Sequence, residues 1–100
     1  MIIKWLEDAV YDLKAVRQYI SRDNIAAAHS IVKKILEKVE LLSKHPSMGR
    51  QGRVLNTREL IIPNTPYIIP YCIKDNFVEV LRIFDCAMKW PEEFLSLCRK

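Results

Sequence analysis

Hydrophobic positions in the first half of the chain recur every three or four residues. Leu6, Ala9, Val10, Leu13, Val16 and Ile20 form one stripe, while Glu7, Asp8, Asp12 and Lys14 fall elsewhere, the pattern of an amphipathic helix. Acids in its first turn suit the positive end of the helix dipole. A second stripe, Ala28, Ile31, Val32, Ile35, Val39 and Leu42, runs through the segment from Ile25 to His45, with Lys33, Lys34, Glu37, Lys38 and Glu40 mostly outside it. Between the two lies "SRDN", where Asp23 or Asn24 can cap the second helix. The His45-Pro46 pair ends that helix, because the residue before a proline is steered away from helical angles. So short a break predicts an antiparallel helix hairpin.

Strand signals flank the helices. "MIIKW" predicts a short first strand. After the helices the period changes to two: "TRELII" and "YIIPYCI" are β-rich runs separated by the turn "PNTP", and "KDN" reverses the chain into "FVEVLRIF". Pro70 inside the middle run predicts a local irregularity, since proline cannot donate to a ladder. The tail "PEEFLSLCRK" predicts one or two helical turns with Pro91 at the start. The expected fold is α+β, in the order β-α-α-β-β-β. A helix hairpin packs on one face of a small, mainly antiparallel sheet, in one domain spanning residues 1–100. The other face, or a cleft beside the preceding loop, is left for function.

Composition changes this picture little. Half of the residues are hydrophobic, enough for a modest core in a chain of 100. Three cysteines, Cys72, Cys86 and Cys98, form no C-x-x-C pair and cannot all be bridged within the chain, which reads as reduced thiols. No charged-then-apolar leader opens the sequence, and no apolar run approaches the ~20 residues of a spanning helix. A soluble, cytoplasmic protein without a membrane partner is expected. Net charge is +4, a mild surplus favouring an acidic partner.

The placement of that charge says more. "MGRQGRVLNTREL", Met48 to Leu60, holds both glycines and three of the seven arginines, and no carboxylate lies between Lys44 and Arg58. Metal chemistry is not indicated, since His29 and His45 are sixteen residues apart with no ligand-spaced partner. No histidine or aspartate constellation around the thiols suggests nucleophilic catalysis, and two glycines cannot build a Walker or dinucleotide loop, so no cofactor is expected. "GRQG" matches the G-x-x-G loop of KH domains, but a KH loop joins two helices and residues 53–58 carry no helical stripe. A dispersed constellation remains: Arg50 and Arg53 in the loop, Arg58 opening a strand, Arg82 inside "VEVLRIF", and Lys89 after it. Strand alternation puts Arg82 on the face of Val78, Val80 and Phe84. There it either pairs internally with Glu59 or Glu79, snorkels to the rim, or joins a positive concave surface suited to phosphate or to a partner's carboxylates.

The ordered set "MGRQGRVLNTREL", "PYIIPY", "VEVLRIF" and the "WP" of "KWPEEF", after a two-helix start, resembles the RelE/ParE superfamily of toxins from type II toxin–antitoxin systems. The likeness runs from "KWLEDAVYDL" to Trp90-Pro91. It implies a small α/β toxin neutralised by a partly disordered cognate antitoxin, in a hetero-oligomer. It also implies one of two targets. RelE-like members cut messenger RNA on the ribosome, as metal-independent endoribonucleases; ParE-like members inhibit DNA gyrase. Under the first, the resemblance makes Arg58, Arg82, Asp85 and Lys89 the catalytic candidates. Asp85 stands where the family's usual histidine follows "LRIF", and Lys89 where an arginine precedes "WP". An aspartate, which ordinarily titrates near pH ~3.9, is ionised at neutral pH and poorly placed to donate a proton. "TRELII" and "PYIIPY" read closer to ParE, so a non-hydrolytic gyrase inhibitor is favoured. A decayed toxin that keeps only antitoxin binding is the third reading. In each, Arg50, Arg53, Arg58, Arg82, Lys89 and Trp90 are the candidate contacts, and Arg53, Arg58 and Arg82 are expected to converge in one electropositive hollow.

Overall fold

A computed structural model describes residues 1–96. Strand β1 (Ile2–Trp5) leads into helices α1 (Glu7–Ser21) and α2 (Ile25–Glu40). Five strands follow: β2 (Arg50–Gln51), β3 (Arg58–Ile61), β4 (Tyr67–Lys74), β5 (Phe77–Val80) and β6 (Phe84–Asp85). A short α3 (Glu92–Leu95) comes last. The last residues of the expected tail helix, and Cys98, lie outside the described residues.

Local chemistry accounts for the helix limits. Leu6 at the start of α1 offers no side-chain cap, but Glu7 and Asp8 occupy the first turn, where negative charge offsets the unpaired N–H groups. Of the two candidate caps for α2, Asn24 serves: its side chain accepts the Ala27 N–H at 2.9 Å. The end of α2 tightens into a 3₁₀ turn at Leu41–Ser43 before Pro46.

The sheet order is β1-β5-β4-β3-β2, with β6 also on β4. Neighbours are antiparallel except β1, which runs parallel to β5 at one edge. Asn64 and Asp75 take φ of 62° and 52° in the β3–β4 and β4–β5 turns, where the sequence places "PNTP" and "KDN". Asparagine and aspartate tolerate that left-handed region better than other side-chain-bearing residues.

Both faces of the sheet carry apolar clusters. Ala9, Ile35, Val39 and Leu42 of the helical layer close over Leu60, Ile69, Tyr71, Val78 and Val80. On the opposite face, Val54, Ile68, Phe84, Trp90 and Phe94 form a second cluster. That face is therefore less open than the sequence led us to expect: the arginine loop and the chain after β6 cover one end.

Pro70 produces its irregularity on the strand beside it. β4 meets β5 through the pair Tyr71–Val80 and β6 through Ile68–Phe84. Three steps along β4 thus face four along its neighbour, and the extra residue is taken up as a bulge at 81–83. Pro70 accepts the Leu81 N–H at 2.9 Å and has no N–H to return. The bulge flips the alternation. Val78, Val80 and Ile83 join the helix-side core while Phe84 falls on the other face, so Arg82 does not share one face with Val78, Val80 and Phe84 as continuous alternation requires.

Among the described residues no helix is long and apolar enough to cross a membrane. Nor do three or more His, Cys, Asp or Glu side chains group where they could hold a metal ion.

Candidate functional site

Alternation along β3 points Leu60 into the helix-side core and Glu59 to the other face, beneath the arginine loop. Glu59 is buried at 2% exposure and anchors that loop. Its Oε1 accepts from Nε and Nη2 of Arg50, at 3.2 and 3.1 Å. Its Oε2 accepts from the backbone N–H and Nε of Arg53, at 2.9 and 3.1 Å. The Arg53 guanidinium also stacks on the Trp90 ring, with Cζ 3.6 Å from the centroid. Trp90 is itself buried, so its expected contact role passes through Arg53.

Burial alone would raise the pKa of Glu59. The bonds from Arg53 backbone, Arg53 side chain and Arg50 outweigh it, and the net shift is downward from 4.5. A carboxylate with a depressed folded-state pKa contributes stability that is complete above its unfolded value and lost as pH falls through the folded one. Glu59→Gln should therefore flatten the acid limb of a melting-temperature profile taken below pH ~4.5. An unchanged acid limb would show that Glu59 is not the group responsible.

Arg58 takes the other face, opposite Tyr71 on β4. Its Nη1 donates to the carbonyls of Ser47 and Gly49, at 3.3 and 2.7 Å. The buried Tyr71 hydroxyl completes this knot, donating to the Pro46 carbonyl at 2.7 Å and accepting the Gly49 N–H at 2.9 Å. Arg58 thus braces the root of the loop.

Arg82 is neutralised from α1. Asp12 accepts from Arg82 Nε and Nη2 at 2.8 and 3.1 Å, and from the Ile83 N–H at 3.0 Å, clamping the bulge. The Asp12 bond, with the charges of Asp12, Asp8 and Glu93, raises the Arg82 pKa against the lowering effect of burial. Its partner is neither Glu59 nor Glu79. Asp85 accepts the Ala87 N–H at 2.8 Å, tying its carboxylate into its own turn. Lys89 is exposed.

The expected three-way convergence is corrected accordingly. Arg53 and Arg58 border one open hollow of about 1260 Å³, with Lys74, Glu79, Cys72 and Leu81. Arg82 instead lines a groove of about 650 Å³ with Glu7, Asp8, Val10, Tyr11 and Lys14, in which two acids balance two bases. What links the two sides is aromatic: Trp90 lies 4.6 Å from Phe84, over which Arg82 sits at 5.0 Å. Cys72 is free and half-buried. Burial and the bond to Glu79 push its thiol pKa up, so it is a weak nucleophile.

Sequence reading missed Asp12 and the anchoring roles of Glu59 and Tyr71. Alternation in "TRELII" places Glu59 opposite Leu60, a signal that could have raised it; nothing local marks Asp12, which falls outside the α1 stripe.

Residues 3–90 match the family model described as ParE toxin of type II toxin-antitoxin system, parDE. The Y4kP protein of Sinorhizobium fredii is 38% identical over 90 residues, covering 90% of this chain and 93% of that protein. Toxin RelE2 of Caulobacter vibrioides is 28% identical over 85 residues, covering 85% and 94%. A chain of the chromosomal ParDE TA system from P. aeruginosa superposes with a TM-score of 0.78 at 28% identity, covering 85% of this chain and 95% of that one.

Proposed function

This chain belongs to the ParE toxin family of type II toxin–antitoxin systems, and from that premise we propose that it poisons DNA gyrase by binding, without chemistry of its own, until a cognate antitoxin covers it. The observation that carries the choice of target is the capture of Arg82 by Asp12. Cutting RNA needs cations aimed at the phosphorane charge and a group to move the proton. Here the guanidinium proposed for the phosphate is engaged by Asp12 and lies within the fields of Asp8 and Glu93, and Asp85 holds the Ala87 N–H of its own turn with Oδ1. Arg50 and Arg53 keep outward N–H groups, which suits a protein surface bearing carboxylates.

Supercoiling by purified gyrase should fall as the toxin is added at micromolar concentration. Unchanged supercoiling with new cuts in ribosome-bound message would transfer the protein to the RNA-cleaving branch. Normal growth on induced expression without antitoxin would mean a decayed toxin. In the same growth assay Asp85→Ala should remain as toxic as the parent, and Asp85→His should gain no message cleavage, since Arg82 stays tied to Asp12. Loss of toxicity in Asp85→Ala with the fold intact would sink the non-hydrolytic reading.

A further inference from the structure

Charge counting and geometry give opposite roles to Glu59. As an acid in a basic loop it should weaken any contact with an acidic partner. As a buried anchor it determines where two guanidiniums point. Its side chain is 3% exposed, while those of Arg50 and Arg53 are 52% and 45% exposed. It engages Nε and Nη2 of Arg50 and Nε of Arg53; Nη1 of Arg50 and both Nη atoms of Arg53 lie outside that network. The Trp90 ring covers one face of Arg53 and its Nε edge is fixed from below, which leaves the terminal N–H edge to meet solvent.

We infer that Glu59 is a positioning residue for partner recognition: it sets the Arg50 and Arg53 forks so that their free edges receive carboxylates of an acidic protein segment, that of the antitoxin. The inference rests on the toxin–antitoxin reading above but not on gyrase. Two guanidiniums around one carboxylate leave a local charge of +1, matched to single carboxylate side chains on a peptide. A nucleic-acid backbone would bring several phosphates toward Glu59 and toward Glu79, which lines the hollow that Arg53 borders. Freed of Glu59, each arginine regains rotamer freedom that binding must then remove again.

The test is surface-immobilised kinetics of full-length toxin with the antitoxin encoded beside it. Glu59→Gln adds local positive charge, so association should be unchanged or faster, yet dissociation should quicken roughly tenfold. Arg53→Ala should quicken it at least as much, and adding Glu59→Gln to Arg53→Ala should cost less than Glu59→Gln does alone, because only the share that acts through Arg50 remains. A merely structural role gives additive losses. Arg53→Lys keeps the charge and loses the planar fork, and should also dissociate faster, which tests the claim even where Glu59→Gln folds poorly. Binding by Glu59→Gln as tight as the parent's, full additivity, or parental behaviour of Arg53→Lys each overturns the inference. So does tight binding of a short single-stranded RNA that depends on Arg53 and survives antitoxin competition. If the parent fails to inhibit gyrase, only the gyrase reading falls, since the antitoxin kinetics stand apart from it.

Discussion

Replacing Gly49 by alanine is expected to lower the free energy of unfolding by about 3 kcal/mol. A Cβ there would lie 2.7 Å from both Cε1 and the hydroxyl of Tyr71 and 2.9 Å from the Glu59 carbonyl oxygen. Real Cβ atoms do not come that close to other heavy atoms. Tyr71 is fully buried and cannot swing aside without surrendering the bonds from its hydroxyl to Pro46 and from the Gly49 N–H. The glycine is required here by close approach, since its φ is not positive. For a domain of this size the loss corresponds to a fall in Tm on the order of 10–20 °C by thermal denaturation. Tyr71→Phe removes the hydroxyl bonds alone and should cost about 1–3 kcal/mol. Gly49→Ala in the Tyr71→Phe background should then cost less than it does alone, because the same bonds cannot be lost twice. A Gly49→Ala protein melting within a degree or two of the parent would mean that loop and tyrosine do not pack as described.

The second large effect is at Asp12. Asp12→Ala should destabilise by about 2–3 kcal/mol. It removes three bonds at once and leaves the Ile83 N–H without its acceptor at the bulge. The side chains of Asp12 and Arg82 are 13% and 27% exposed, so water recovers part of the loss and the figure sits below that of a fully buried pair. Asp12→Asn keeps an acceptor for Ile83 and should lose less. Denaturant unfolding of Asp12→Ala, Arg82→Met and the pair measures the coupling directly. A coupling near zero would show that the two side chains do not hold each other, and would remove the argument that Arg82 is withheld from phosphate.

Both effects concern residues whose importance is invisible in local pattern. The helix hairpin, its Asn24 cap, the two turns and the β3 and β4 strands follow from spacing and turn chemistry, because those signals act between near neighbours. The Pro70 irregularity was also legible, as a missing donor. Its position was not: the register shift emerged on the facing strand, since a ladder is a joint property of two strands. That single extra residue puts Val78 and Val80 on a different face from Phe84, and at the bulge it creates Arg82 meets Asp12 of α1.

Residue pattern alone gave the helix hairpin, four of the six strands in their order and the α+β class, located the cationic loop that holds both glycines, and through a resemblance pointed to the toxin family. It did not show β2 inside that loop or the break that divides "FVEVLRIF" into β5 and β6. Which charges are spent and which remain available is settled in three dimensions. Asp12 and Arg82 are seventy residues apart and meet because α1 crosses beside the bulge. Glu59 is buried because the loop and the chain after β6 fold over it. The hydrophobic period that writes secondary structure depends on the backbone's own geometry. The partner of a charge depends on which distant segment the fold brings within about 3 Å of it, and that is set by packing.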